Sequence, residues 1–183
     1  MTTIDDAILL YGDPVLRRAV PDVTGFDGSL QELADRLLRV QARERAVGLA
    51  AIQIAVEQNV FSVDEGMIRR GGETEILVNP VLVETDGEII AEEGCLCFPD
   101  IFIEVARPRW VAIRAVDRHG HPVEREAEGT LARAYLHEID HLQGRLFIDL
   151  VDPFTRRRVL ERMRALEAHR HRSVKTEGRG DVS

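Results

Sequence analysis

The stretch YLHEIDHLQG, residues Tyr135 to Gly144, limits the fold of this chain more than any other segment. It contains His137-Glu138-Ile139-Asp140-His141, an H-E-x-x-H pattern. On an α-helix, residues four apart lie on one face, so His137 and His141 reach a common point, with the Glu138 carboxylate beside them. That is only part of a metal centre. A fold carrying it has to hold both rings in place and bring a third ligand from elsewhere. An amphipathic helix with incidental histidines is the bland alternative, and the Ala-Tyr-Leu run before the motif weighs against it.

Three residues compete for the third place. Glu161 lies downstream at a separation that suits a metallopeptidase, and Asp149 offers a shorter carboxylate route. Cys95 lies upstream in EEGCLCFPD, where a thiolate would complete a His₂Cys set and leave one position for water. Glu161 sits in the Arg-rich run RRRVLERMRALEAHR, where pairing with Arg164 is its ordinary explanation. Asp149 falls in an expected turn. Charge and packing therefore favour Cys95. Gln53, in the compact run VGLAAIQ with Gly48, Ala50 and Ala51, is a candidate amide donor to an oxyanion developing on a carbonyl substrate.

Composition bounds the rest. The chain has 183 residues, 44% hydrophobic and 31% charged, enough for one domain with its own core. A net charge of −8 disfavours broad nucleic-acid binding, and no sequence-specific nucleic-acid partner is expected. The segment MTTIDDAILLYGDP lacks the basic and apolar regions of a signal peptide, and no apolar run nears the roughly 20 residues of a membrane helix. A cytoplasmic protein without membrane contact is expected. Cys95 and Cys97 are too close in sequence for an unstrained disulfide, which leaves ligation or catalysis as the better reason for at least one of them.

The periodicity predicts an α+β domain of mostly antiparallel strands around a central metal-binding helix, with a further C-terminal helix. SLQELADRLLRVQARERA reads as a helix capped by Ser29, with Leu30, Leu33, Leu37, Leu38 and Val40 as its apolar stripe. VFSVD, EILVNPVLVE and GEIIAEEGCLCF read as strands. WVAIRAVDRHGHPVEREAEG reads as a hairpin turning at His119-Gly120, with Val111, Ile113 and Ala115 alternating. Leu131 to Leu142 forms the metal helix, and a last helix runs from about Pro153 to Arg170. The domain is expected to span 1–172, with 173–183 a disordered tail whose Arg-Gly-Asp tripeptide carries no meaning there.

Taken together, AVGLAAIQ at 46–53, EGCLC at 93–97 and LHEIDHLQG at 136–144 resemble, in order, the three signature blocks of the peptide deformylase family. The likeness extends over roughly residues 5 to 165. It implies that Cys95, His137 and His141 hold one divalent metal, ferrous iron in the cell, with zinc or another divalent ion also accepted. It implies Glu138 as proton carrier, and Gln53 with the Leu96 backbone N–H as oxyanion donors. The implied reaction removes the formyl group from N-formylmethionyl nascent peptides and releases formate. By the same analogy, Gly48 and Leu49 contact substrate, Ile139 (with Leu136) lines the methionine pocket, and Glu93 and Arg107 form a supporting ion pair. A metallopeptidase using Glu161, or an inactive deformylase-like protein that binds ribosomes or formyl peptides, are the competing readings.

Three positions depart from the family pattern. Ala46 stands for a glycine, Leu136 for a glutamine and Cys97 for a serine. Ala46 would be strained only if its φ were positive, Leu136 loses a hydrogen-bonding side chain near the first histidine, and Cys97 is expected to be a small buried thiol. Between Phe154 and Arg172 stand seven arginines and two glutamates, a basic face that suits either plain solvation or docking on ribosomal RNA.

Overall fold

A computed structural model describes residues 6–177, with side chains to residue 168. Helix α1 covers Gly28–Glu44 and buries Leu30, Leu33, Ala34, Leu37 and Val40, the expected stripe, with Leu38 half-buried beside it. Its cap is Asp27 rather than Ser29. The Asp27 carboxylate accepts from the Ser29 N–H at 3.0 Å and the Ser29 hydroxyl at 2.6 Å, placing a negative charge at the helix N-terminus. The serine that looked like the cap is thus a donor to the real one.

Among the described residues seven strands follow: β1 (Gly48–Ala50), β2 (Val60–Asp64), β3 (Thr74–Asp86), β4 (Ile89–Cys95), β5 (Phe98–Arg107), β6 (Trp110–Val116) and β7 (Pro122–Glu128). They make a five-stranded sheet, β1-β2-β3-β6-β7, and a separate β4-β5 hairpin, with every pairing antiparallel. The β6-β7 hairpin turns through Asp117–His121 as the sequence predicts, and Val111, Ile113 and Ala115 point into the core. Strand β5 is an addition to the sequence reading. Pro99 and Asp100, the latter at φ 59°, interrupt its first residues and mask its alternation.

Helix α2 (Thr130–Leu142) lies against the large sheet, and α3 (Pro153–Glu177) closes the other side of the β4-β5 hairpin. The apolar side of α2, through Ala132, Tyr135, Leu136, Ile139 and Leu142, joins Phe61, Val63, Leu77, Val111 and Ile113 in one core cluster. At about 1.5–3 kcal/mol per large side chain buried, this packing fixes the helix before any metal is considered. Val159 and Met163 of α3 are buried with Phe98, Ile101 and Phe147. Helix α3 continues past its expected end near Arg170; residues 178–183, with the Arg-Gly-Asp tripeptide, lie outside the described residues.

The end of α2 is held by the segment before α1. Val20 N–H donates to the Leu142 carbonyl at 3.0 Å, and Gly144 adopts φ 71° with room for no side chain. A Cβ there would stand 2.6 Å from the Arg17 carbonyl oxygen. Gly144→Ala should lower the unfolding free energy by about 2 kcal/mol, from left-handed strain plus that contact, as read by urea denaturation.

Candidate active site

While one side of α2 packs on the sheet, the side bearing Arg133, His137, Asp140 and His141 meets the β4-β5 hairpin. Cys95 ends β4 at a register shift in its pairing with β5, and Leu96-Cys97 turn the chain back. This turn puts the Cys95 Sγ 3.2 Å from His141 Nε2, where it also accepts from the Cys97 N–H at 3.4 Å. Ligand atoms of Cys95, His137 and His141 all lie within 4.8 Å of one another.

Behind His137 stands a buried ion network. Glu93 accepts from His137 Nδ1 at 2.6 Å, from Arg107 at 2.6 and 3.0 Å, and from Arg133 at 2.8 Å. Arg107 also pairs with Asp140, which Arg145 reaches at 2.8 Å. The expected Glu93–Arg107 pair is therefore deeply buried, not a pair of solvated charges. Burial pushes the Glu93 carboxyl up, but hydrogen bonds from His137 and Arg107 outweigh it and hold the group well below the carboxylate range. Arg133 and Asp140 were missed by the sequence reading. Their signal was present: they stand four before and three after His137, on its face of the helix.

These surroundings fit a divalent cation. With Nδ1 committed to Glu93, His137 keeps Nε2 for a ligand. Burial, and then the neighbouring His137, hold His141 well below its ordinary pKa, in the neutral form that ligates. Its Nδ1 has no hydrogen-bond partner among the described residues. Burial, and then Cys97, push the Cys95 thiol up, so a nearby positive charge is what would bring out the thiolate. Two imidazoles and a thiolate make a three-ligand set with one position open.

Glu138 points to the same place from the adjacent helical position. It is buried and pushed up to about 7 by that burial, although the His137 charge opposes the shift. Gly48 makes its position available: a Cβ there would stand 2.5 Å from Glu138 Oε1 and 2.8 Å from its Cγ. Gln53 follows β1 in a 3₁₀ turn, Ala51–Ile54, and is fully covered. Its Oε1 accepts from the Ala50 N–H at 2.8 Å, which turns Nε2 toward Cys95 (3.8 Å) and Cys97 (3.6 Å). Cys97 is buried, as expected, and meets the site through its N–H to Cys95 Sγ and through Gln53.

A cleft of ≈610 Å³ opens over these groups, with Gly48, Gln53, Cys95, Leu96, His137 and Glu138 among its walls. Strand β1, at the edge of the large sheet, runs along it. The side chains of Leu49 and Ile139, two residues expected at the substrate site, pack in the core, Leu49 with α1 residues and Ile139 against the sheet. Leu136 is absorbed by the same core as Ile139. Ala46 is not among the residues with positive φ; its neighbour Arg45 takes the left-handed position at φ 53°, so Ala46 is unstrained. Glu161 is exposed and pairs with Arg157 at 2.9 Å, not with Arg164, and Asp149 is engaged by Arg17 and Arg156. Neither joins the ligand cluster.

Comparison with known proteins gives a consistent result. The family model for polypeptide deformylase matches residues 6–157. A peptide deformylase of Thermotoga maritima is 40% identical over 150 residues, covering 81% of this chain and 88% of the relative. One from Alkalilimnicola ehrlichii is 37% identical over 160 residues, covering 87% and 89%. Among solved structures, a Legionella pneumophila peptide deformylase superposes with TM-score 0.79 at 38% identity, covering 88% of this chain and 96% of that one. Arabidopsis thaliana peptide deformylase 1B, in complex with an inhibitor, gives 0.83 at 31%, covering 91% and 92%.

The contact between Gly48 and Glu138 can be tested directly. Gly48→Ala should displace the Glu138 carboxylate and cut turnover on the order of a hundredfold, while metal content per chain stays unchanged. Loss of metal alongside activity would mean that the glycine serves the whole site and not Glu138.

Proposed function

The chain belongs to the peptide deformylase family, metal-dependent hydrolases that release formate from formylated nascent peptides, and on that premise we propose how its residues divide the work. The observation that carries the assignment is the convergence of the Cys95, His137 and His141 ligand atoms, with Gln53 and Glu138 directed to the same point. Cys95, His137 and His141 hold one divalent ion. Ferrous iron is the proposed ion in the cell, and the same donors accept zinc. When bound, the ion supplies Lewis acidity, making a water acidic and polarising a carbonyl.

The protein's own groups do the rest. Glu138 takes a proton from the attacking water and gives it to the leaving amine, so its charge is restored each cycle. Burial raises the carboxyl, which makes it a competent acid in the second half of that exchange. Gln53 Nε2–H and the Leu96 backbone N–H donate to the oxygen on which charge develops as the formyl carbon becomes tetrahedral. The balance is simple: the C–N bond of the formyl amide breaks, a C–O bond forms, and water plus formyl peptide becomes formate plus free amine. Glu93, fixed by Arg107 and Arg133, keeps His137 in the tautomer that ligates through Nε2. Gly48 gives Glu138 its space, and its backbone on the edge strand borders the path of the substrate.

Formate release from a formyl-Met peptide by the anaerobically purified, metallated protein tests the assignment. Glu138→Gln should retain the metal and lose at least a thousandfold in kcat, whereas Gln53→Ala should lose about a hundredfold or more. No formate from the metallated wild type would leave an inactive, formyl-peptide-binding protein as the better reading.

A cytoplasmic location and contact with the ribosome are proposed on the nature of the substrate, which emerges there. No helix among the described residues is long and apolar enough to cross a membrane. Arg158, Arg162 and Arg164 stand exposed on α3, whereas Val159 and Met163 of the same helix are buried. Truncating α3 would therefore damage the core as well as remove charge. Changing the three exposed arginines to glutamine should weaken ribosome co-sedimentation and flatten its salt dependence, with the melting temperature unchanged. Unaltered co-sedimentation would dismiss the contact.

A further inference from the structure

A second groove, of ≈550 Å³, lies on the outer side of the β4-β5 hairpin where α3 begins. Its lining is mixed, with the apolar Ile90, Ile103 and Leu150 set among Glu104, Asp152, Arg158 and Arg162 in about equal measure. Ile90 is 63% exposed and Leu150 43%. Apolar side chains of this size grouped in one concave surface mark a contact site more often than scattered exposure does.

This groove is not isolated. Ile101 and Phe102 belong to its wall and also to the wall of the cleft over Cys95 and Glu138. Phe102, 64% exposed, stands between the two. Its ring edge packs on Gly94, where a Cβ would be 2.5 Å away, so the residue next to Cys95 leaves room for that ring. Beyond Phe102 the groove presents the exposed Ile90 and Leu150 side chains.

We propose that this groove binds the downstream part of the substrate polypeptide, residues beyond those held in the cleft, and that it favours apolar side chains there. The inference rests on the deformylase assignment, since it takes the cleft as the place where the formylated end sits. Continuity with the cleft selects this occupant over an unrelated partner. Its mixed rim charges give neither a uniformly basic nor a uniformly acidic surface for a polyanion or polycation. The groove acts on remote binding energy and touches no reacting atom. Its effect falls on how well long substrates are captured.

Steady-state kinetics on formyl-Met peptides of different length test this. The set is a tripeptide, an octapeptide with leucines in its distal half, and the same octapeptide with serines there. Wild type should process the leucine octapeptide with kcat/KM about tenfold above the tripeptide, and the serine octapeptide close to the tripeptide. Ile90→Ser combined with Leu150→Ser changes two exposed side chains outside the cleft. It should abolish the tenfold gain and leave tripeptide kinetics and melting temperature unaltered. Equal kcat/KM for all three peptides in the wild type would overturn the proposal. So would a gain that survives the double substitution, or a double variant that loses ribosome co-sedimentation while keeping the length effect. Absence of formate even from the tripeptide would instead sink the deformylase assignment, so the two failures are distinguishable.

Discussion

The Glu93 carboxylate is the interaction on which the site depends. It sits on β4 and receives donors from β5, through Arg107, and from α2, through Arg133 and His137. One side chain therefore ties the hairpin that carries Cys95 to the helix that carries both histidines. Such a network is not free stability, because each charge in it has lost its water. Removing one member of a buried pair typically costs about 3–5 kcal/mol, while the intact set contributes far less than that. Its return is orientation. Arg107 also engages Asp140, so both acidic groups flanking the metal face are neutralised by one guanidinium, and His137 has a single hydrogen-bonding choice.

Close approach is the second constraint. Glycines stand where a methyl group has no room, among them Gly48 against Glu138, Gly94 against Phe102 and Gly144 against the Arg17 backbone. At Gly48 the crowding partner is the proposed proton carrier itself. In this protein the edge strand β1 and the metal helix meet with a carboxylate between them, and a small residue is the condition for that meeting. Gln53 extends the same economy. Its oxygen is held by the Ala50 N–H, so the donor end of the amide is left for the site.

Much of this was legible in the sequence, for physical reasons. The two histidines are linked by helical period alone, and the β6-β7 hairpin by strict alternation around a Gly turn. The three ordered blocks carried the family, which neither the H-E-x-x-H motif nor the lone Gln53 could have done. What stayed hidden depends on long-range packing or on backbone that breaks a pattern. Strand β5 was masked by Pro99 and a left-handed Asp100. The α1 cap moved from Ser29 to Asp27 because both side chains can serve and only geometry chooses. Leu49 and Ile139 alternate into the core although their neighbours Gly48 and Glu138 face the cleft. Arg133 owes its place to Glu93, a buried partner 40 residues upstream that no local pattern reveals.

The central claim is that a cysteine from the hairpin, and not a carboxylate from α3, completes the metal set of α2. X-ray absorption on the metal-loaded protein reads this without reference to activity. For the zinc form, the account predicts one sulfur scatterer at about 2.3 Å with two imidazole nitrogens at about 2.0–2.1 Å. A shell of nitrogen and oxygen alone, with no sulfur, would contradict it.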